Sequence, residues 1–76
     1  MPYEITVTKG TTVSWMNADS AAHTVSSGTV EAGLSGVFDS SLFMSGAVYE
    51  FTFNDAGTYD YFCMVHPWMT GIVNVN

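Results

Sequence analysis

The chain has 76 residues, 47% hydrophobic and 11% charged, so we expect one small domain spanning residues 1–76, with enough apolar material to fold. Lys9 is the only basic side chain and the net charge is −6, which excludes nucleic acid as a partner because Lys and Arg bind its phosphates. No apolar run reaches the ~20 residues of a membrane helix. The chain has a single cysteine, which excludes an internal disulfide and leaves a bound metal as an available cross-link.

The first half of the chain predicts strands that are separated by polar turns. Residues 5–8 and 12–15 alternate polar and apolar side chains, which is typical of half-buried strands. Residues 17–20 have the composition of a loop, and residues 23–25 return to an extended pattern. Residues 26–47 are rich in Ser and Gly, and we interpret them as loops and short edge strands.

The second half carries stronger strand signals. Residues 49–53, 59–63 and 73–75 alternate in the same way, with a turn at residues 54–57. Tyr59 in "DAGTY" is placed as in a tyrosine corner, where the hydroxyl binds nearby backbone at a Greek-key crossover. Short strands at turn-separated intervals, with no helical period, predict an all-β Greek-key sandwich.

The stretch "YFCMVHPWMTG" joins the last two predicted strands and places Cys63, His66 and Met69 at every third position. A tight loop can turn these side chains toward one point, and Pro67 stiffens it. A thiolate and two imidazoles with a weak thioether ligand are the donors of electron-transfer copper sites, whereas zinc sites need no methionine. His23 follows a polar loop that can reach the same end of a sandwich, so we predict a copper site completed by His23.

The segments "HTV…DAGTYDYFCMVHPWMTGIVNV" and "ITVTKGTTVSWMN" resemble cupredoxins, and most of all their amicyanin and plastocyanin branch. Amicyanins have the same short Cys-x-x-His-x-x-Met loop, whereas plastocyanin-type loops are longer between His and Met. The resemblance implies one mononuclear type 1 copper with His23, Cys63 and His66 as equatorial ligands and Met69 as the axial ligand. It also implies an electron carrier rather than an enzyme. The implied location is extracytoplasmic (periplasmic, cell-surface or secreted), with the targeting or anchor segment absent from this chain.

Two departures from the cupredoxin pattern have structural consequences. The additional strand that usually precedes the segment matching Tyr3–Thr8 is absent here, which we expect to leave an unpaired edge. Thr24 stands where the branch commonly has an asparagine that helps to fix the ligand loops. The Thr24 hydroxyl therefore either replaces that side chain or leaves the site looser.

The apolar side chains beside His66 have two interpretations. They either screen the metal from water or form a docking patch for redox partner proteins, and an apolar patch with a polar rim favours docking. The acidic surface would attract basic partners in particular. The proposed patch consists of Met64, Val65, Pro67 and Trp68.

Other functions fit parts of the pattern. A looser site with water in place of Met69 would be open to a small molecule such as nitric oxide, which would make the protein a redox enzyme. A Cys–His pair can also serve as nucleophile and base, but no oxyanion motif accompanies it here. A metal-free structural or adhesion β-sandwich is a further alternative.

Overall fold

The computed structural model describes residues 3–76, which form seven β-strands. The strands are β1 (Tyr3–Val7), β2 (Thr11–Met16), β3 (Ser26–Thr29), β4 (Gly33–Asp39), β5 (Val48–Phe53), β6 (Gly57–Phe62) and β7 (Thr70–Val75). Over this part of the chain, no helix has the length and hydrophobicity needed to cross a membrane.

The strands form two sheets. Five of them lie in the order β1-β7-β6-β3-β4, while β2 and β5 pair with each other in a second sheet. β1 runs parallel to β7, and the other pairs are antiparallel. Neighbours that are distant in sequence, such as β3 and β6, require crossovers between the sheets, so the predicted all-β Greek-key sandwich is confirmed.

The core is aromatic and lies between the sheets. Trp15 on β2 contacts Tyr61 and Phe38 in the larger sheet, at ring-centroid distances of 5.5 and 5.8 Å. Phe53 and Val73 are almost completely buried in the same cluster. The inward side chains of β2 alternate with exposed ones, as the sequence predicts.

The prediction for residues 26–47 was partly wrong, because β3 is an interior strand between β6 and β4. It buries serines rather than aliphatic side chains. The Ser27 hydroxyl accepts hydrogen bonds from the N–H groups of Val37 and Phe38 at 3.0 and 2.9 Å. A polar strand is stable in the interior of the sheet because its hydroxyl groups have hydrogen-bond partners. The local sequence pattern does not show that β3 pairs with β4 and β6.

The predicted tyrosine corner is confirmed at the connection between β5 and β6. The Tyr59 hydroxyl donates to the backbone oxygen of Asp55 at 2.7 Å. This contact fixes the start of β6, the strand that leads directly to Cys63.

Candidate metal centre

The loop between β6 and β7, residues 63–69, is closed by its own backbone. The Cys63 N–H donates to the Met69 oxygen at 3.0 Å, and the Met69 N–H donates to the His66 oxygen at 2.8 Å. These two bonds hold the three predicted ligands of the loop on one compact turn at the end of the sandwich.

His23 reaches the same end of the sandwich on a separate segment. Its backbone N–H and C=O both pair with Phe43, at 3.2 and 2.9 Å, as an isolated antiparallel bridge. The Asn17 side-chain amide donates to the backbone oxygens of Ala21 and Phe43, at 2.8 and 3.0 Å. The segment that carries His23 is therefore held by strand-like pairing although it lies outside the seven strands.

The donor atoms of His23, Cys63 and His66 converge within 4.8 Å of one another. The Cys63 sulfur lies 3.6 Å from Nδ1 of His23 and 3.8 Å from Nδ1 of His66. Cys63 and His23 are buried, at 3% and 8% exposure, and His66 is half-buried. A thiolate between two imidazole nitrogens is a donor set that suits copper.

Met69 lies beside this cluster. It is half-buried and lines, together with Cys63 and His23, a cavity of about 370 Å³. All four predicted ligands are thus found at one end of the sandwich, while the division into equatorial and axial roles stays a prediction.

The surroundings of Cys63 favour the ionised form of its thiol. Burial would raise its pKa, but the Thr24 N–H and the rings of His23 and His66 stabilise the thiolate, and together they lower the pKa to about 6. The same contact with Cys63 raises the pKa of His23. A thiolate is the form in which cysteine binds metals.

Thr24 ties the two ligand segments together. Its N–H donates to the Cys63 sulfur at 3.3 Å, and its hydroxyl oxygen accepts the Met64 N–H at 2.9 Å. Of the two alternatives for Thr24, the structure favours replacement of the asparagine by the threonine hydroxyl.

Asp19 is a residue of the site that the sequence reasoning missed. Its carboxylate lies 3.1 Å from Nε2 of His23, on the side of the ring opposite Cys63, and the hydrogen bond with His23 lowers the pKa of Asp19. A carboxylate on the second ring nitrogen fixes the tautomer and orientation of a metal-binding histidine. The available signal was an aspartate four positions before the histidine in a polar loop, which is too common to be specific.

The apolar residues of the loop are exposed. Trp68 is 70% exposed, and Met64 and Val65 are each close to half exposed. The Trp68 ring meets the His66 ring edge-on, at a centroid distance of 5.2 Å. An apolar surface therefore adjoins the half-buried imidazole, although its use in docking stays a prediction.

A cysteine flanked by two histidines at the end of a Greek-key sandwich defines a cupredoxin-type copper protein. The chain belongs to the plastocyanin/azurin family of copper-binding proteins, which residues 1–76 match. It is 39% identical over 74 residues to amicyanin of Paracoccus versutus and 40% identical over 75 residues to amicyanin of Paracoccus denitrificans. The resemblance to the amicyanin-like branch is confirmed, and with it copper as the cofactor.

Solved structures agree with this assignment. A purple cupredoxin from Nitrosopumilus maritimus is 37% identical with a TM-score of 0.85, over 99% of this chain and 77% of that one. An oxidised amicyanin variant is 36% identical with a TM-score of 0.81, over 96% and 69% of the two chains. The chain spans about half the length of the curated amicyanins, with 95% of it matching 54% of each of the two Paracoccus proteins.

Proposed function

We propose that this protein is a type 1 copper electron carrier, in which a single domain of residues 1–76 holds one copper ion and passes single electrons between redox partners. The observation that carries the proposal is the convergence of three soft and borderline donor atoms within 4.8 Å, two of them on one short loop with an apolar surface. Membership of the plastocyanin/azurin family supports the same function.

In this proposal His23, Cys63 and His66 would hold the copper as its main ligands, and Met69 would be a fourth, weaker ligand. Bound copper supplies a couple that gains and loses one electron without a proton. The protein keeps the ligands in one arrangement throughout, because the loop is closed on itself and Thr24 joins it to the His23 segment. Little then has to rearrange on electron transfer, and no catalytic residue is required.

Electrons would enter and leave through His66. The ring is half-buried and borders an exposed apolar patch of Met64, Val65, Pro67 and Trp68, which is suited to brief contact with another protein. The net charge of −6 favours partners with a basic surface. The protein would work outside the cytoplasm, where we place it by its relation to the amicyanins.

The test is to add Cu(II) to the metal-free protein and record its visible spectrum. We expect one copper per chain and an intense thiolate-to-copper band, which Cys63→Ser removes while the fold is retained. A colourless wild-type protein would contradict the proposal.

The same sample distinguishes a closed site from one that is open to small molecules. With Met69 as the axial ligand, azide or nitric oxide should leave the band unchanged. A band that shifts with either ligand would instead favour a redox enzyme with an open coordination position, and Met69→Ala provides the reference spectrum for that state.

A further inference from the structure

We propose that Asp39, acting through the buried hydroxyls of Ser26 and Thr24, is a positioning residue for the copper site. The hydrogen bonds that link Asp39, Ser26, Thr24 and the Met64 N–H form a relay. It begins at an exposed carboxylate at the end of β4 and ends on the backbone of the ligand loop. The inference rests on the proposed copper function, but the contacts that carry it belong to the protein itself.

The contacts form one continuous chain. The Asp39 carboxylate lies 3.2 Å from the Ser26 hydroxyl, which lies 3.0 Å from the Thr24 hydroxyl. The Thr24 oxygen accepts the Met64 N–H at 2.9 Å. The two hydroxyl residues are almost completely buried, at 0% for Ser26 and 4% for Thr24.

The outer end of the relay is fixed as well. The same Asp39 oxygen accepts the Ser41 N–H at 2.9 Å. Ser26 is held on both sides because it stands opposite Asp39 on β4 and opposite Phe62 on β6. The carboxylate therefore meets a hydroxyl whose position is set by the sheet.

The Ser26 hydroxyl joins the two ends of the relay. It is the donor in both of its contacts, so its one proton is shared between the Asp39 carboxylate and the Thr24 oxygen. The Thr24 oxygen accepts from Ser26 and from the Met64 N–H, which uses both of its lone pairs.

The consequence lies at Cys63. With both lone pairs engaged, by Ser26 and by the Met64 N–H, the Thr24 oxygen has a fixed position and holds the residue that follows the cysteine. The Thr24 N–H, which donates to the Cys63 sulfur at 3.3 Å, belongs to the same residue. Asp39 thus influences the thiolate without touching any of the proposed ligands.

The first experiment uses the metal-free protein and measures the hydrogen-exchange rate of the Met64 amide by NMR. Ser26→Ala and Asp39→Ala should each raise this rate by a factor of roughly three to ten, the range expected for weakening one hydrogen bond. Asp39→Asn should preserve the protection, because its amide oxygen can still accept from Ser26. Equal loss in Asp39→Asn and Asp39→Ala would overturn the role of Asp39 as the acceptor.

Ser27→Ala is the matched control. Ser27 is a buried serine on the same strand, but its hydroxyl bonds with Ser35, Val37 and Phe38 and leads away from the site. This variant should lose stability without a selective change at the Met64 amide. If Ser26→Ala and Asp39→Ala behave like Ser27→Ala, the relay is refuted.

The second experiment records the visible band and reduction potential of the copper-loaded variants. Ser26→Ala and Asp39→Ala should shift both, and the double variant should shift them no further than Ser26→Ala alone. Additive shifts would show that Asp39 acts through space and would overturn the relay. A colourless wild-type protein would refute the copper function, whereas Met64 exchange in the metal-free protein would still decide whether the relay exists.

Discussion

The two segments that meet at the candidate copper site are built in opposite ways. His23 is buried and fixed by a backbone bridge to Phe43 and by the Asp19 carboxylate on its outer nitrogen. His66 lies on a short loop whose neighbouring side chains are exposed, with Trp68 at 70%. One segment is supported by the rest of the protein, and the other forms its surface.

This difference separates two requirements of an electron carrier. A site must keep its geometry when the charge of the metal changes, and it must also approach a partner closely. In the proposed carrier, the His23 segment would meet the first requirement through buried hydrogen bonds, and the residues 63–69 loop would meet the second through exposed apolar surface. The predictions below test this division in order of decreasing expected effect.

The largest expected effect concerns the Cys63 thiol in the metal-free protein. Its pKa of about 6, against the ordinary 9.0, means that its ionisation constant is raised about a thousandfold. Thiolate absorbance in the ultraviolet should therefore rise with a midpoint near pH 6 in the folded protein and near pH 9 in denaturant. His23→Ala should move the folded midpoint further toward 9 than His66→Ala does, because the contact with His23 lowers the Cys63 pKa more. Equal shifts of the Cys63 midpoint in the two variants would contradict a larger effect of His23 on the thiol.

The next effect is the loss of either histidine. His23→Gly and His66→Gly should each weaken copper binding by more than ~100-fold, the upper range for a residue that only supports a ligand. Added imidazole should restore the colour of His66→Gly, since that position faces solvent, and should not restore it in His23→Gly. Titration of both variants with imidazole, followed in the visible spectrum, measures the difference. Equal recovery would mean that the two histidines are equally accessible.

A smaller effect is expected for Asp19→Ala. The Asp19 carboxylate orients the His23 ring by its hydrogen bond with Nε2. Its loss should therefore lower copper affinity by about 10- to 100-fold. Competition with a chelator measures the affinity, and Asp60→Ala, which removes an exposed carboxylate on β6, controls for the loss of one negative charge. If the two variants weaken binding to the same extent, net charge rather than the contact with His23 explains the result.

The smallest effect should follow Trp68→Ala. Removing an exposed aromatic side chain from the proposed docking patch should weaken association with a redox partner by about 1 kcal/mol, or roughly fivefold. The visible spectrum of the copper protein should stay unchanged, since Trp68 is not a proposed ligand. Rates of electron transfer measured over a range of partner concentrations separate weaker docking from slower transfer. A changed spectrum would show that Trp68 also supports the site.

Local patterns predicted much of the fold and most of the donor set. Residues 49–53 and 59–63 alternate clearly, and Tyr59 stands where its hydroxyl can reach the backbone of the preceding turn. Cys63, His66 and Met69 could be recognised together because they lie within one short loop. Each of these features depends on neighbours a few positions away, which a sequence displays directly.

Contacts between distant segments were decided only by the tertiary structure. β3 looked like loop or edge because its buried serines carry no apolar signal, and only pairing with β4 and β6 makes it an interior strand. The carboxylate of Asp39 looks like any surface charge until the sheet places Ser26 opposite it. The physical reason is that a hydroxyl or carboxylate has the same local signature in water and in a buried network. Its role is set by the partner that folding brings to it.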